Sequence, residues 1–353
     1  MRVAIVHDDL VQWGGAERVL LGICEIFPDA PIYTSVYDID NLILKDNFVH
    51  KKIITSFLQK IPGWRSLYKT LLPFYPIAFE QFSFDGYDLV ISQTTRFAKS
   101  IITRPGTVHI CYCHTPPRFL WHFSEQKNYG ILEPIMSKLR IYDQVSKNRV
   151  DYFIAGSENA RKRIKRVYKV DSKVVYPFVD LKRFEGIETF DGGYFVVVTR
   201  TNKYKRVDLT IEACKRLVFS LKVIGKGDWV NGEDKGDVEF LGELNDQMVV
   251  KVLAGCRALI IPGIEDFGII SLEAQALGKP VIAYKGGGAL ETVINGKTGI
   301  LFNKQNVESL TSALIGLNDS QHFRETAIKR HASYFSKESF HRAFKQTVDS
   351  LVY

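Results

Sequence analysis

The sequence holds no apolar run close to the roughly 20 residues that a membrane-spanning helix needs, which excludes a helical membrane protein. Cysteine is scarce. Its five copies (Cys24, Cys111, Cys113, Cys214, Cys256) sit mostly in apolar runs, which fits a reducing cytoplasm and no disulfide framework. Cys111 and Cys113 share one strand face but lack further ligands at suitable spacing, so they read as buried thiols and not as a metal pair. Met1–Val6 is too short for the apolar core of a secretion signal and runs straight into His7-Asp8-Asp9, so no signal peptide is expected. No nucleic-acid-binding motif occurs, and no nucleic-acid partner is expected.

What is present is an ordinary globular composition, 46% hydrophobic and 24% charged, over 353 residues, a length that implies two domains. The net charge is +8. Residues 1–180 carry 24 Lys/Arg against 18 Asp/Glu and residues 181–353 carry 23 against 21, so most of the excess is in the first half. A basic half suits an anionic lipid surface, a phosphorylated substrate or nucleic acid.

The chain alternates strands and helices. Residues 2–6 read as a strand buried on both faces, followed by a loop ending in Gly14-Gly15 and a helix to about Phe27. This unit lacks the G-x-G-x-x-G spacing of a dinucleotide fingerprint. Gly14 and Gly15 let a phosphate or sugar approach the backbone closely, or simply make a tight turn. Residues 31–37 read as a second strand. Residues 53–83 interleave aromatics, prolines and bases. Phe57, Leu58, Ile61, Trp64, Leu67, Tyr68, Leu71 and Leu72 recur at helical spacing, with Lys60, Arg65 and Lys69 between them. That pattern suits an interfacial amphipathic segment or a helical pair packed on the sheet. Residues 87–92 and 108–113 are strands, and His114 lies just past the second, where open α/β sheets place their sites. A helix is expected over 134–149, and a basic helix carrying Arg161, Lys162, Arg163, Lys165 and Arg166 after Ser157. Residues 177–193 read as a linker. The alternation then restarts, with glycine loops at Gly225-Lys226-Gly227 and Gly286-Gly287-Gly288. Two doubly wound domains follow, with a cleft between them as the expected ligand site.

The most informative stretch is Ile260 to Pro280. An apolar strand breaks at Pro262-Gly263 and resumes at Gly268 as a helix that stops at Gly278. Glu265 and Glu273 bracket the turn. Between them lie the amides of Phe267, Gly268, Ile269 and Ile270, at a helix N-terminus suited to phosphate or sugar oxygens. The plainer reading is an ordinary strand–loop–helix with two surface glutamates.

The order Gly14-Gly15, His114, Arg200 with Lys205, Gly225-x-Gly227 and Glu265-x₇-Glu273 resembles the retaining GT-B glycosyltransferases of family 4 (group 1), over nearly the whole chain. The run from Cys111 to Arg118, with Trp121, resembles the bacterial mannosyltransferases of O-antigen and exopolysaccharide assembly within that family. The resemblance implies an α/β GT-B fold of two Rossmann-like domains. An acceptor-binding domain would span 1–180 and a nucleotide-sugar-binding domain 181–333, with a terminal helix over 334–353 crossing back to the first. It implies Arg200 and Lys205 on the diphosphate, Glu273 on the ribose and Glu265 on the donor sugar. The amides of Phe267, Gly268, Ile269 and Ile270 would bind sugar and phosphate oxygens. Gly14 and Gly15 would border phosphate and acceptor, His114 would touch the sugar, and Gly225 and Gly227 would shape the nucleotide pocket. Thr199 stands where many relatives have glycine, and Arg206 follows Lys205 where they have glycine again.

The reaction so implied transfers mannose, with retention, from GDP-mannose to a hydroxyl of a lipid-linked or growing glycan. Asp38-Ile-Asp40 lies in an acidic turn away from any strand end, so no metal or other cofactor is expected. A UDP-sugar donor and a non-catalytic sugar-nucleotide-binding protein are the alternatives. The expected location is the cytoplasm, with peripheral contact on the inner face of the anionic cytoplasmic membrane through residues 57–76.

Overall fold

The computed structural model describes residues 1–68, 70–121, 123, 129–199, 205–227, 237–319 and 323–352. They divide into two compact units: Met1–Pro177 with Phe340–Tyr353, and Phe178–Ser339.

The first unit is built on β1 (Val3–His7), β2 (Ile32–Thr34), β3 (Ile53–Thr55), β4 (Leu89–Thr94), β5 (Val108–Cys113), β6 (Tyr152–Ala155) and β7 (Ser172–Val174). All pair in parallel in the order β3-β2-β1-β4-β5-β6-β7. Parallel pairing forces each connection to cross over a face, so both faces are covered and the central strands are buried along most of their length. Ile5, Val90, Ile91 and Ile110 are fully buried. The order reverses at β1 and β4. The C-terminal ends of these strands, with β5 beside them, are therefore where loops diverge and leave room for a ligand.

Residues 57–80 form no long helix. They break into short turns, Phe57–Lys60, Trp64–Leu67, Leu72–Phe74 and Tyr75–Glu80. Pro62, Pro73 and Pro76 explain the breaks, because proline cannot donate within a helix interior. Leu58, Trp64, Tyr75 and Phe79 are buried, and Ile61, Tyr68, Leu71 and Leu72 pack against the same core. Only Phe57, Leu67, Phe74 and Ile77 among these apolar side chains are exposed. The helical spacing thus describes a piece of core more than a lipid-facing stripe. Ile53–Thr55, ahead of it, is an edge strand that the sequence pattern does not announce.

The second unit has β8 (Tyr194–Val198), β9 (Ser220–Ile224), β10 (Val238–Gly242), β11 (Cys256–Ile261), β12 (Val281–Tyr284) and β13 (Gly299–Phe302), parallel in the order β10-β9-β8-β11-β12-β13. Alternate residues enter opposite cores. Phe195, Val197, Ala258, Ile260 and Ile282 face one side, and Val196, Leu259, Val281 and Ala283 the other. At about 1.5–3 kcal/mol for each large apolar side chain removed from water, this double burial drives the fold.

The segment read as a linker is only partly one. Phe178, Val179 and Phe184 are buried, and Val179 and Phe184 join the second unit's core. The helix expected over 134–149 runs Glu133–Ser146 and tightens to a 3₁₀ turn at Lys147–Arg149. The terminal helix Lys337–Val352 starts with Ser336 accepting from the Ser339 amide at 3.2 Å. From Phe340 onward it belongs to the first unit.

Candidate functional site

In the second unit, β11 ends at Ile261 and the chain turns through residues 262–268 into the helix Ile269–Ala276. Gly268 precedes that helix at φ +85°, a left-handed conformation natural to glycine. The turn is braced from behind. The Gly288 amide donates to the Glu265 carbonyl at 2.9 Å, and a Cβ on Gly288 would lie 2.3 Å from the Phe267 Cα. The Phe267 ring is buried, its centroid 5.7 Å from that of Phe335, so this residue offers a ligand its backbone and not its ring. The first turn of the helix, from Ile269 and Ile270, supplies N–H groups without intrahelical acceptors and the positive end of the helix dipole. The helix ends at Gly278 in a Schellman motif: Gly278 N–H donates to Gln275 at 2.8 Å and Lys279 N–H to Ala274 at 2.9 Å.

The two glutamates are not bare acceptors. Lys205 Nζ is paired with Glu265 Oε1, and both side chains are largely buried. Arg183 Nη1 donates to Glu273 Oε1 at 2.7 Å, and its Nη2 lies 3.6 Å from Asp246 Oδ2. Arg183 comes from the 3₁₀ turn Leu181–Phe184, inside the stretch read as linker, and nothing in its local sequence announces this contact. Lys205 lies at the end of the loop after β8, just ahead of the helix Val207–Leu217. Arg200, expected beside it, lies outside the described residues.

Gly225 follows β9 at φ +114° and donates to the Gly242 carbonyl at 2.6 Å. A Cβ there would stand 1.9 Å from the Thr199 carbonyl oxygen, so only glycine fits. Gly227 is two residues further along the same loop.

In the first unit, Gly14 is extended (φ −158°) and opens the helix Gly15–Ile26. Glu17, in its first turn, points inward and is 3% exposed. Its Oε1 lies 3.8 Å from His7 Nε2. Burial opposes a charge on His7. The nearby Glu17 carboxylate, with Asp8 and Asp9 behind, outweighs it and raises the His7 pKa. Burial also raises the Asp9 pKa against the pull of its partner Arg96. Asp8 organises the turn after β4. It accepts from the amides of Thr95, Arg96, Phe97 and Ala98 at 2.6–2.9 Å and from Thr94 Oγ1 at 2.9 Å. The sequence signal for this cluster is plain in retrospect: three polar residues, His7-Asp8-Asp9, at the end of a strand buried on both faces.

His114 sits where expected, one residue past β5. Its amide donates to the Thr94 carbonyl at 3.0 Å, and its ring packs edge-on against Tyr112 with centroids 5.1 Å apart. Its Nε2 lies 2.7 Å from Gln93 Nε2. The first unit thus brings Gly14, Gly15 and His114 to the C-terminal ends of its central strands. The second brings Lys205, Glu265, Glu273 and the amide turn to the C-terminal ends of its own central strands.

Asp38 and Asp40 both bond Arg65, at 2.8 and 2.6 Å, so the Asp-x-Asp pair serves that contact. The basic helix after Ser157 is not wholly a solvated face: Arg163 is 8% exposed and donates to Thr115 Oγ1 at 3.2 Å.

Known proteins share this organisation. The family described as "Glycosyl transferases group 1" matches residues 180–333, and "Glycosyltransferase Family 4" matches residues 13–183. An uncharacterised glycosyltransferase of Methanocaldococcus jannaschii is 28% identical over 209 residues, which cover 57% of this chain and 59% of that protein. The alpha-1,3/1,6-mannosyltransferase ALG2 of Dictyostelium discoideum is 23% identical over 100% of this chain and 98% of its own length. The crystal structure of Anabaena HepE in complex with UDP superposes with a TM-score of 0.68 at 18% identity, over 99% of this chain and 100% of that one.

Proposed function

The chain belongs to the GT-B glycosyltransferases of family 4, and on that premise we propose that it moves a mannosyl residue from GDP-mannose to a hydroxyl of a lipid-linked glycan, with retention, in cell-surface polysaccharide synthesis. The observation that carries the proposal is the pairing of Lys205 with Glu265 at the start of the helix Ile269–Ala276. One cation, one carboxylate and the amides of a helix's first turn are the groups that a phosphate joined to a sugar requires. The full-length similarity to a mannosyltransferase supports the choice of sugar.

In this reading Arg200 and Lys205 hold the diphosphate, Glu273 accepts from the ribose hydroxyls, and Glu265 accepts from the sugar. Gly225 and Gly227 leave space for the nucleotide. The Gly14–Gly15 turn and His114 meet phosphate and sugar during transfer. The bond from the anomeric carbon to the leaving phosphate oxygen breaks through an oxocarbenium-like state. The acceptor oxygen bonds to the same face, its proton passes to a donor phosphate oxygen, and GDP leaves. The fixed cations stabilise the charge that builds on the leaving group, and no metal is required.

A UDP-sugar donor is the second reading, favoured by the fold shared with a UDP complex. Turnover and melting shifts with a panel of GDP- and UDP-sugars separate the two. A shift with UDP-sugars and none with GDP-mannose rejects the donor proposed here. Arg200→Ala should lower turnover by about 10²–10³-fold with the fold intact. Wild-type turnover in that variant rejects its role.

We also assign the chain a peripheral place on the inner face of the cytoplasmic membrane. Among the described residues no helix is long and apolar enough to cross one. The exposed Phe57, Leu67, Phe74 and Ile77, beside Lys60, support contact at the surface. Flotation with anionic vesicles at low salt tests it, and a chain left in the pellet fraction rejects it.

A further inference from the structure

Gln93 is fully buried near the end of β4. Its Nε2 lies 2.7 Å from the Ala16 carbonyl oxygen and 2.7 Å from His114 Nε2. A carbonyl oxygen only accepts, so Ala16 fixes which way the amide faces. The reversed amide would set two acceptors against each other. The NH₂ group has two hydrogens, one for each partner. His114 Nε2 therefore accepts and carries no proton, which puts the ring's hydrogen on Nδ1.

The other end of the same amide is also informative. Gln93 Oε1 is buried with no hydrogen-bond partner, and so is His7 Nδ1. His7 and Gln93 are register partners on β1 and β4, so their side chains share one face of the sheet. His7 is 4% exposed, with Nε2 turned to Glu17. One orphan is an acceptor and the other is a donor when the imidazole is charged. Leaving either buried atom unmet is costly.

We infer that Gln93 is a positioning residue that holds His114 in its Nδ1–H tautomer and ties that ring to the backbone of the Gly14–Gly15–Ala16 turn. This rests on the reading of His114 as a residue that meets the donor. Its chemical consequence is specific. His114 acts as a hydrogen-bond donor through Nδ1 and not as a base through Nε2, which leaves removal of the acceptor's proton to the donor's phosphate oxygen. One amide also holds both the glycine turn and the histidine, so a shift of the turn reaches the ring directly.

The tautomer is read from two-bond proton–nitrogen spectra of the full chain labelled with ¹⁵N-histidine, with His114 assigned through His114→Asn. The wild type should show a protonated Nδ1 and a bare Nε2. Gln93→Glu, nearly equal in volume, offers only acceptors when ionised, and should move the proton to His114 Nε2. With whichever nucleotide-sugar the wild type turns over, kcat should fall about tenfold or more in this variant while the donor KM stays within about twofold. Should Gln93→Glu not fold, Gln93→Met removes the donor without adding charge, and the His114 signals should average between tautomers. A wild-type ring protonated on Nε2 overturns the inference, as does an unchanged tautomer in the variants. A changed tautomer with wild-type kcat overturns the positioning role. The spectra need no substrate, so a chain that uses UDP-sugars in place of GDP-mannose loses its donor assignment and leaves this result standing.

Discussion

Lys205 and Glu265 neutralise each other across 60 positions of sequence, Nζ on Oε1. The cation assigned to the diphosphate and the carboxylate assigned to the sugar thus share one site. Under the proposed function a donor would divide the pair, taking the ammonium with its phosphate and the carboxylate with its hydroxyls.

Lys205→Met should lower kcat/KM by about 10²–10³-fold, the size expected for losing a donor aimed at developing charge. Glu265→Gln should also lower it. The double variant should cost less than the sum of the two, because both side chains act on one molecule. Strictly additive losses in steady-state kinetics would count against a shared ligand.

Arg183→Ala leaves the mostly buried Glu273 carboxylate without its bonded cation. Removing one partner of such a pair exposes the desolvation cost of the other, so stability should drop by about 2–4 kcal/mol. Glu273 would also lose its fixed orientation, and the donor KM should rise with kcat nearly kept. A urea midpoint and a donor KM both at the wild-type value would show that Arg183 does neither job.

Gly225→Ala would need an L-residue at φ +114° with its Cβ 1.9 Å from a backbone oxygen. Backbone on backbone cannot be relieved by a rotamer change, so a loss above about 2 kcal/mol is expected. A thermal melt of the variant that overlays the wild type would contradict the geometry of this loop.

His109 gives a pH prediction. Burial lowers its pKa to about 4, although the Arg149 carbonyl bonded to its Nδ1 pulls the other way. Its Nε2 faces Ser92 Oγ at 2.8 Å. The unfolded value is near 6.5, so the unfolded chain takes up the proton first as pH falls. The contribution is fully present above about pH 6.5 and is lost between there and pH 4, to about 3 kcal/mol. Denaturant midpoints across that range should fall more steeply for the wild type than for His109→Gln. Parallel slopes would reject the assignment.

The alternation of strands and helices was readable because buried parallel strands are near-continuous apolar runs. The turn between Glu265 and Glu273 was readable because strand, glycine and helix follow one another directly. What escaped was long-range. Ile53–Thr55 is three residues long and marked only by what it pairs with. The periodic apolar residues of 57–72 look like one amphipathic helix until the prolines are allowed to break it. Arg183 reaches a carboxylate 90 positions away, and Gln93 reaches a histidine on the next strand. No local pattern carries that kind of information.

The helix Lys337–Val352 gives the chain an order of assembly. Phe340 and Phe344 cover Tyr112, Lys173 Nζ meets Ser350 Oγ at 2.8 Å, and His341 faces Glu25 at 3.2 Å. The first unit is therefore made from both ends of the polypeptide, with the second inserted whole between them. During synthesis the ribosome releases Phe178–Ser339 before the last residues that the first unit needs, so the unit that starts first must finish last. A chain that stops translating at Ser339 would leave Tyr112 open to water, and quality control would meet a first unit whose sheet is whole but lacks its last covering helix.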